Sequence, residues 1–231
     1  MNIKRKKLSH YIPHFIKKAL IKQLQSVVWT IYFKKYIKVI NKNEIPGKWL
    51  IKKLIFGWGN QSFSAKINYI ESMIVYANKN NKLIFECGSG ISTLLLGVIA
   101  KKKNLRMVSF EHLPNWADRV QKELEKYKLT NNEIYIQPLI NYGDFNWYEI
   151  NNTFISEIGL CICDAPPGNT FGGRKGFLYL LNDKVKTGTV ILVDDTIRKA
   201  EQNMIKEWGN IFPMDITFKG TIDPHAILVI Q

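Results

Sequence analysis

From residue 82 onward, short apolar runs alternate with longer stretches whose apolar residues recur every three or four positions. The short runs fall at 82–86, 106–111, 133–138, 159–164 and 187–194, and each predicts a buried strand. Helical patterns separate most of them. "SAKINYIESMIVYANKNN" (64–81) precedes the first strand, and "LLLGVIA" follows Thr93. Between the second and third runs, Trp116, Val120, Leu124 and Tyr127 form one stripe, with Pro114 where a first helical turn begins. Strand and helix in alternation predict a mainly parallel sheet with helices on both faces. The end of the pattern differs. "MDITFKGTIDPHAILVIQ" (214–231) holds two strand-like runs around a Gly and Pro turn, which predicts a closing antiparallel hairpin.

Ahead of that region, Ile16, Leu20, Leu24, Val28 and Ile31 recur at helical spacing with lysines mostly off the stripe, so residues 15–40 predict a basic amphipathic helix. Pro46-Gly47 interrupts it, and "WLIKKLIFGWGNQSF" (49–63) reads as an aromatic connector. Residues 1–60 therefore form an arm and connector, and 61–231 a single α/β domain. Charge sharpens this division. Residues 1–53 carry fourteen Lys and Arg against the single acid Glu44, leaving 19 of the 33 basic and 18 of the 19 acidic side chains for the rest. Such an arm suits an anionic membrane surface, or a lid packed over the pocket of the α/β domain with its lysines in water. The apolar stretch "SVVWTIYF" is too short to span a bilayer and no apolar signal segment follows the basic start, so a cytoplasmic protein, peripheral on the inner face of the membrane, is expected. Cys87, Cys161 and Cys163 lie in strand-like runs without a CxxC pair, as reduced, buried thiols would.

The chemistry gathers first at "KLIFECGSGIST" (82–93), where a strand passes through Glu86 and Cys87 into Gly88, Ser89 and Gly90 and then into Ser92 and Thr93 at a helix start. Glycines at such a turn let backbone approach a ligand closely. The dinucleotide fingerprint would want a third glycine where Ser92 and Thr93 stand, and an apolar residue in place of Glu86. An acid there suits a cationic or amine-bearing ligand better than a pyrophosphate. Glu111 ends the second strand, twenty-three residues after Gly88, at the distance from which an acid accepts from ribose hydroxyls. S-adenosylmethionine combines a ribose, a positive charge and no phosphate.

"FECGSGIST", "VSFEHLPNWADRV", "CICDAPPG" and "ILVDDTIRKAEQNMIKEW" resemble, in order, the motifs of class I S-adenosylmethionine-dependent methyltransferases over roughly residues 60–231. The resemblance implies a Rossmann-like seven-stranded sheet of order 3-2-1-4-5-7-6. It implies that the Gly88–Gly90 backbone meets the amino-acid part of the cofactor, with Glu86, Ser89, Ser92, Thr93 and Asp164 around it. Glu111 then takes the ribose and His112 lies against the adenine. "EHLPNW", "DAPPG" followed by an Arg, and "DDxxRxxE" followed by Trp208 resemble a group of bacterial enzymes that shares part of its look with glucuronoxylan methyltransferases.

An alcohol acceptor needs a base or a cation before it attacks an electrophilic carbon. Asp164 and the Asp194-Asp195 pair, at the ends of the fourth and fifth domain strands, are the expected catalytic acids. Their order is similar to the metal site of the catechol and caffeoyl-CoA O-methyltransferases, with Asp195 where that family has Asn. Three carboxylates predict either a bound divalent metal or a shared proton. Arg174 and Lys175, in the glycine-rich loop "PPGNTFGGRKGF", are candidate holders of an anionic group of the acceptor, while Arg198 and Glu201 read as a structural ion pair. The expected activity is O-methylation of a carbohydrate or small-molecule hydroxyl. Two rivals remain: an RNA methyltransferase whose arm binds phosphates, and a membrane-surface binding module carrying an inactive methyltransferase domain.

Overall fold

The computed structural model describes residues 13–60, 65–150 and 155–231. Contacts divide the chain into two compact units, Met1–Ser64 and Ala65–Gln231.

The first unit is a pair of helices, α1 (His14–Asn41) and α2 (Lys48–Trp58). The stretch expected as a connector is thus a helix, and Leu50, Ile51, Leu54 and Trp58 are its buried residues. On α1 the expected stripe is an exposed face of the helix. Its buried residues are Trp29, Phe33, Tyr36 and Ile40, whereas Leu20, Leu24 and Ile31 are more than half exposed. Trp29 stacks on Phe33 at 4.6 Å between ring centroids and meets Trp58 at 5.2 Å. At about 100° per residue, Ile16, Leu20, Leu24, Val27 and Ile31 fall within one arc of about 80°, nearly opposite the buried face. The helix is apolar on two sides, and α2 satisfies one.

The second unit runs α3 (Ile67–Lys79), β1 (Leu83–Cys87), α4 (Ile91–Lys103), β2 (Met107–Glu111), α5 (Pro114–Lys126), β3 (Asn132–Ile136), β4 (Leu139–Asn141), β5 (Asn146–Tyr148), β6 (Ile158–Cys163), α6 (Gly176–Leu180), β7 (Val185–Val193), α7 (Lys199–Ile211), β8 (Met214–Lys219) and β9 (His225–Ile230). The strands of the main sheet lie in the order β3-β2-β1-β6-β7-β9-β8, and β4 and β5 form a separate antiparallel pair. Leaving that pair out of the count gives 3-2-1-4-5-7-6, the order expected. β9 runs antiparallel between β7 and β8, which confirms the closing hairpin.

Side chains alternate across the sheet as strand geometry requires. Phe85, Cys87, Val108, Phe110, Cys161 and Cys163 belong to one core cluster with Trp147 and Tyr148 of β5, Phe177 of α6 and Trp208 of α7. The alternate positions include Glu86 and Ser109, register partners in the parallel β1–β2 pair. β8 is the sheet edge, and its residues from Asp215 to Lys219 are exposed. The winding reverses between β2 and β6 on either side of β1, so the carboxyl ends of β1 and β6 open a crevice of the kind in which α/β folds bind ligands.

Candidate functional site

The turn after β1 is shaped by its two glycines in different ways. Gly88 has φ +89°, and a Cβ there would stand 2.7 Å from the Cβ of Ala165, after β6. A Cβ on Gly90 would meet nothing within 4 Å, so the chain leaves open space beside this backbone. The Gly90 amide donates to Thr93 Oγ1 at 2.8 Å, and that hydroxyl donates to Glu86 Oε2 at 2.6 Å. Ser109 donates to the same oxygen at 2.7 Å, and the Ser92 hydroxyl also favours the ionised carboxyl. Glu86 Oε1, equally buried, has no partner among the described residues. Burial lifts the Glu86 pKa to about 7 against the pull of these hydroxyls.

Glu111 is tied to the same turn. Its Oε2 accepts from the Ser89 amide at 3.0 Å and the Ser89 hydroxyl at 2.9 Å, and its Oε1 from the amides of His112 at 2.8 Å and Leu113 at 3.0 Å. Those four donors match the four acceptor positions of a carboxylate. A ligand hydroxyl therefore reaches Glu111 by taking the place of a rotatable one, and Ser89 Oγ is the rotatable donor of the set. His112 Nδ1 lies 3.1 Å from Glu111 Oε1, and its ring faces the edge of Tyr148 at 6.4 Å.

The acids at the neighbouring strand ends converge on a cation. Arg174, expected to hold an anionic group of the acceptor, is turned inward and 3% exposed. Its Nη2 lies 3.3 Å from Asp164 Oδ1 and 2.9 Å from Asp195 Oδ2, and its Nη1 donates to the Asp194 carbonyl at 2.9 Å and more weakly to the Cys163 carbonyl at 3.4 Å. Arg198 Nη2 approaches Asp195 Oδ2 at 3.0 Å while its Nη1 pairs with Glu201 at 3.3 Å. Lys175 turns the other way and pairs with Glu207 of α7 at 2.6 Å. Burial, with Arg174 opposing and Asp195 adding to it, places the Asp164 pKa at about 6; burial and the Asp164 charge lift Asp194 to about 8. Among the described residues, no group of three or more His, Cys, Asp or Glu is arranged to hold a metal ion.

No family model and no curated protein matches this chain. Solved structures do. A methyltransferase from Podospora anserina, bound to S-adenosylhomocysteine, aligns over 95% of this chain and 98% of its own with a TM-score of 0.55 and 15% identity. An O-methyltransferase from Bacillus cereus, also in complex with S-adenosylhomocysteine, aligns over 92% and 97% with a TM-score of 0.54 and 15% identity. The chain has the class I methyltransferase fold.

Within this fold, several residues that sequence reasoning did not assign to the site stand beside it. Ser109 holds Glu86, and its signal was a lone hydroxyl inside the apolar strand "MVSFE". Trp116, read as a packing residue, donates its indole N–H to the Ser89 carbonyl at 2.7 Å and so braces the glycine turn. Tyr69 of α3 donates to the Leu192 carbonyl at 2.9 Å, two residues before Asp194, and its own pKa is raised by burial and by Asp164 and Asp194. Nothing in the sequence joins Tyr69 to those acids.

Proposed function

We propose that the protein is an S-adenosylmethionine-dependent methyltransferase acting on a hydroxyl group of a small polar acceptor, with carbohydrates the first class to test. The observation that carries this reading is the orphaned Glu86 oxygen beside a glycine turn. A buried carboxylate oxygen without a donor is costly, and the amino group of S-adenosylmethionine is a donor of the right charge. In this reading the open backbone at Gly90 and the Ser89–Glu111 contact receive the amino-acid and ribose parts, and a pyrophosphate is disfavoured by the same acid. When bound, S-adenosylmethionine supplies an electrophilic methyl group, which passes to the acceptor oxygen as that oxygen loses its proton.

Asp164 is the proposed acceptor of that proton. With a pKa near 6 and a side chain still 28% exposed, it is ionised at neutral pH and open to a ligand. A half-open pocket of about 400 Å³ is lined by Ser72, Tyr76, Lys219 and His225, with Asp164, Asp194 and Asp195 outside its lining. His225 Nε2 is 2.8 Å from Ser72 Oγ, and its ring meets the edge of Tyr69, the side chain that reaches β7 near Asp194. Calorimetry with S-adenosylhomocysteine tests the reading. Micromolar binding, on the order of −8 kcal/mol, is expected, with no NAD binding and a loss of more than about tenfold in Glu111→Ala. Unchanged affinity in that variant would remove the ribose assignment, and absence of binding would remove the function.

We also propose that the outward face of α1 rests on an anionic lipid surface. Among the described residues no helix is long and apolar enough to cross a membrane, yet Leu20, Leu24, Val27 and Ile31 are 52–57% exposed. Residues 14–41 carry six lysines and no acid, so a second copy of this helix would bring like charge to the same face. Apolar burial and attraction to anionic headgroups act together on such a helix. The full chain should co-sediment with vesicles containing phosphatidylglycerol and not with phosphatidylcholine alone, and Leu20→Glu with Leu24→Glu should abolish it. Failure to sediment at low salt would overturn this, as would a stable dimer in light scattering that the double variant dissociates, or RNA binding in place of vesicle binding.

A further inference from the structure

We infer that the guanidinium of Arg174 is the resident cation of the acidic cluster and stands where the O-methyltransferases that these acids resemble carry a divalent metal. The residues present do not fit a metal. A divalent ion such as Mg²⁺ or Ca²⁺ asks for several oxygens at about 2.0–2.6 Å around an empty centre. Here two of the three expected ligands, Asp164 through Oδ1 and Asp195 through Oδ2, both aim at one nitrogen, Arg174 Nη2. The guanidinium is anchored from behind through Nη1, which donates to the Asp194 carbonyl and lies near the Cys163 carbonyl, so it plugs the gap between the ends of β6 and β7.

Three features make this a built arrangement. Gly172 and Gly173, at φ +73° and +60°, bend the loop that delivers Arg174, a course other residues take at a cost. An arginine cannot shed its charge at any ordinary pH, so a metal entering here would sit against a fixed positive group. Asp195, the acid that replaces the Asn of the resembled site, is the closest carboxylate to that charge and is shared with Arg198. The extra negative charge and the buried positive one thus explain each other. An acceptor at this site is oriented by hydrogen bonds and is not chelated.

This inference deepens the methyltransferase reading, but its test reads metal binding and so fails or succeeds separately. Mn²⁺ is titrated into the full chain and followed by its paramagnetic resonance signal. The native protein should show no saturable site below about 1 mM, which corresponds to about −4 kcal/mol. Arg174→Met keeps bulk and removes charge, and should bind Mn²⁺ at least about tenfold more tightly. Adding Asp195→Asn to that variant should remove the gain, and Arg174→Lys, which retains a cation, should resemble the native protein. Far-UV circular dichroism and the thermal unfolding midpoint report whether each variant is folded. A native protein that binds one Mn²⁺ in the micromolar range, lost in Asp164→Asn, overturns the inference. So does a folded Arg174→Met that gains no Mn²⁺.

Discussion

Glu86 is a carboxyl group whose surroundings ask it to be two things. Three hydroxyl side chains favour its ionised form, while complete burial favours the neutral one, and burial wins, so the group titrates at about 7. If its free oxygen receives the amino group of the cofactor, binding draws on the ionised form alone. The sign follows directly: below pH 7 most molecules must lose a proton before binding, and above it few do. Affinity for S-adenosylhomocysteine should therefore rise about tenfold from pH 6 to pH 8 and then level off, while Glu86→Gln should bind more weakly and show no such rise. A native protein whose affinity is flat over this range would separate Glu86 from the ligand. Arg174 makes the complementary point, since its sequence context of glycines and a lysine suggests exposure and its partners lie ten and twenty-one residues away. Such convergence depends on which strands are neighbours.

At the scale of elements, legibility followed period and length. β1, β2, β3, β6 and β7 were visible because each couples an apolar run to a turn, and the order of motifs implied their arrangement. The β4–β5 pair was not, because three-residue strands are too short for a period to declare itself. On α1 the apolar stripe was real, but a stripe says only that a face is apolar and not whether anything covers it. Buried aromatics spaced at Trp29, Phe33, Tyr36 and Ile40 mark the covered side. The α1–α2 crossing explains the glycine in "FGWG": a Cβ on Gly57 would stand 2.6 Å from the Trp29 backbone nitrogen and 2.8 Å from its Cα, where no side chain can yield. Gly57→Ala should lower stability by about 1–3 kcal/mol in denaturant melts followed by far-UV circular dichroism. Gly47→Ala, whose Cβ meets nothing within 4 Å, should stay within about 0.5 kcal/mol. Equal effects at the two sites would mean that the close crossing does not constrain the pair.

Across the whole molecule, the two units divide their tasks by charge as well as by fold. Nearly all the excess positive charge lies in residues 1–53, while the α/β unit is close to neutral and keeps Asp164 and Asp195, at the ends of β6 and β7, beside arginines. Long-range attraction to an anionic surface is thereby separated from the electrostatics of the cleft, which need short distances and exclusion of water to matter. The position of β9 bears on how the chain reaches this state. It lies between β7 and β8 although it follows both in sequence. During vectorial synthesis β7 therefore emerges with an open edge that β8 cannot close alone, and the nascent sheet must wait for residues 225–230 before its last three strands register. Until β9 docks, the apolar edge of β7 stays open to other chains, so a delay in closing the hairpin is a delay in hiding that edge.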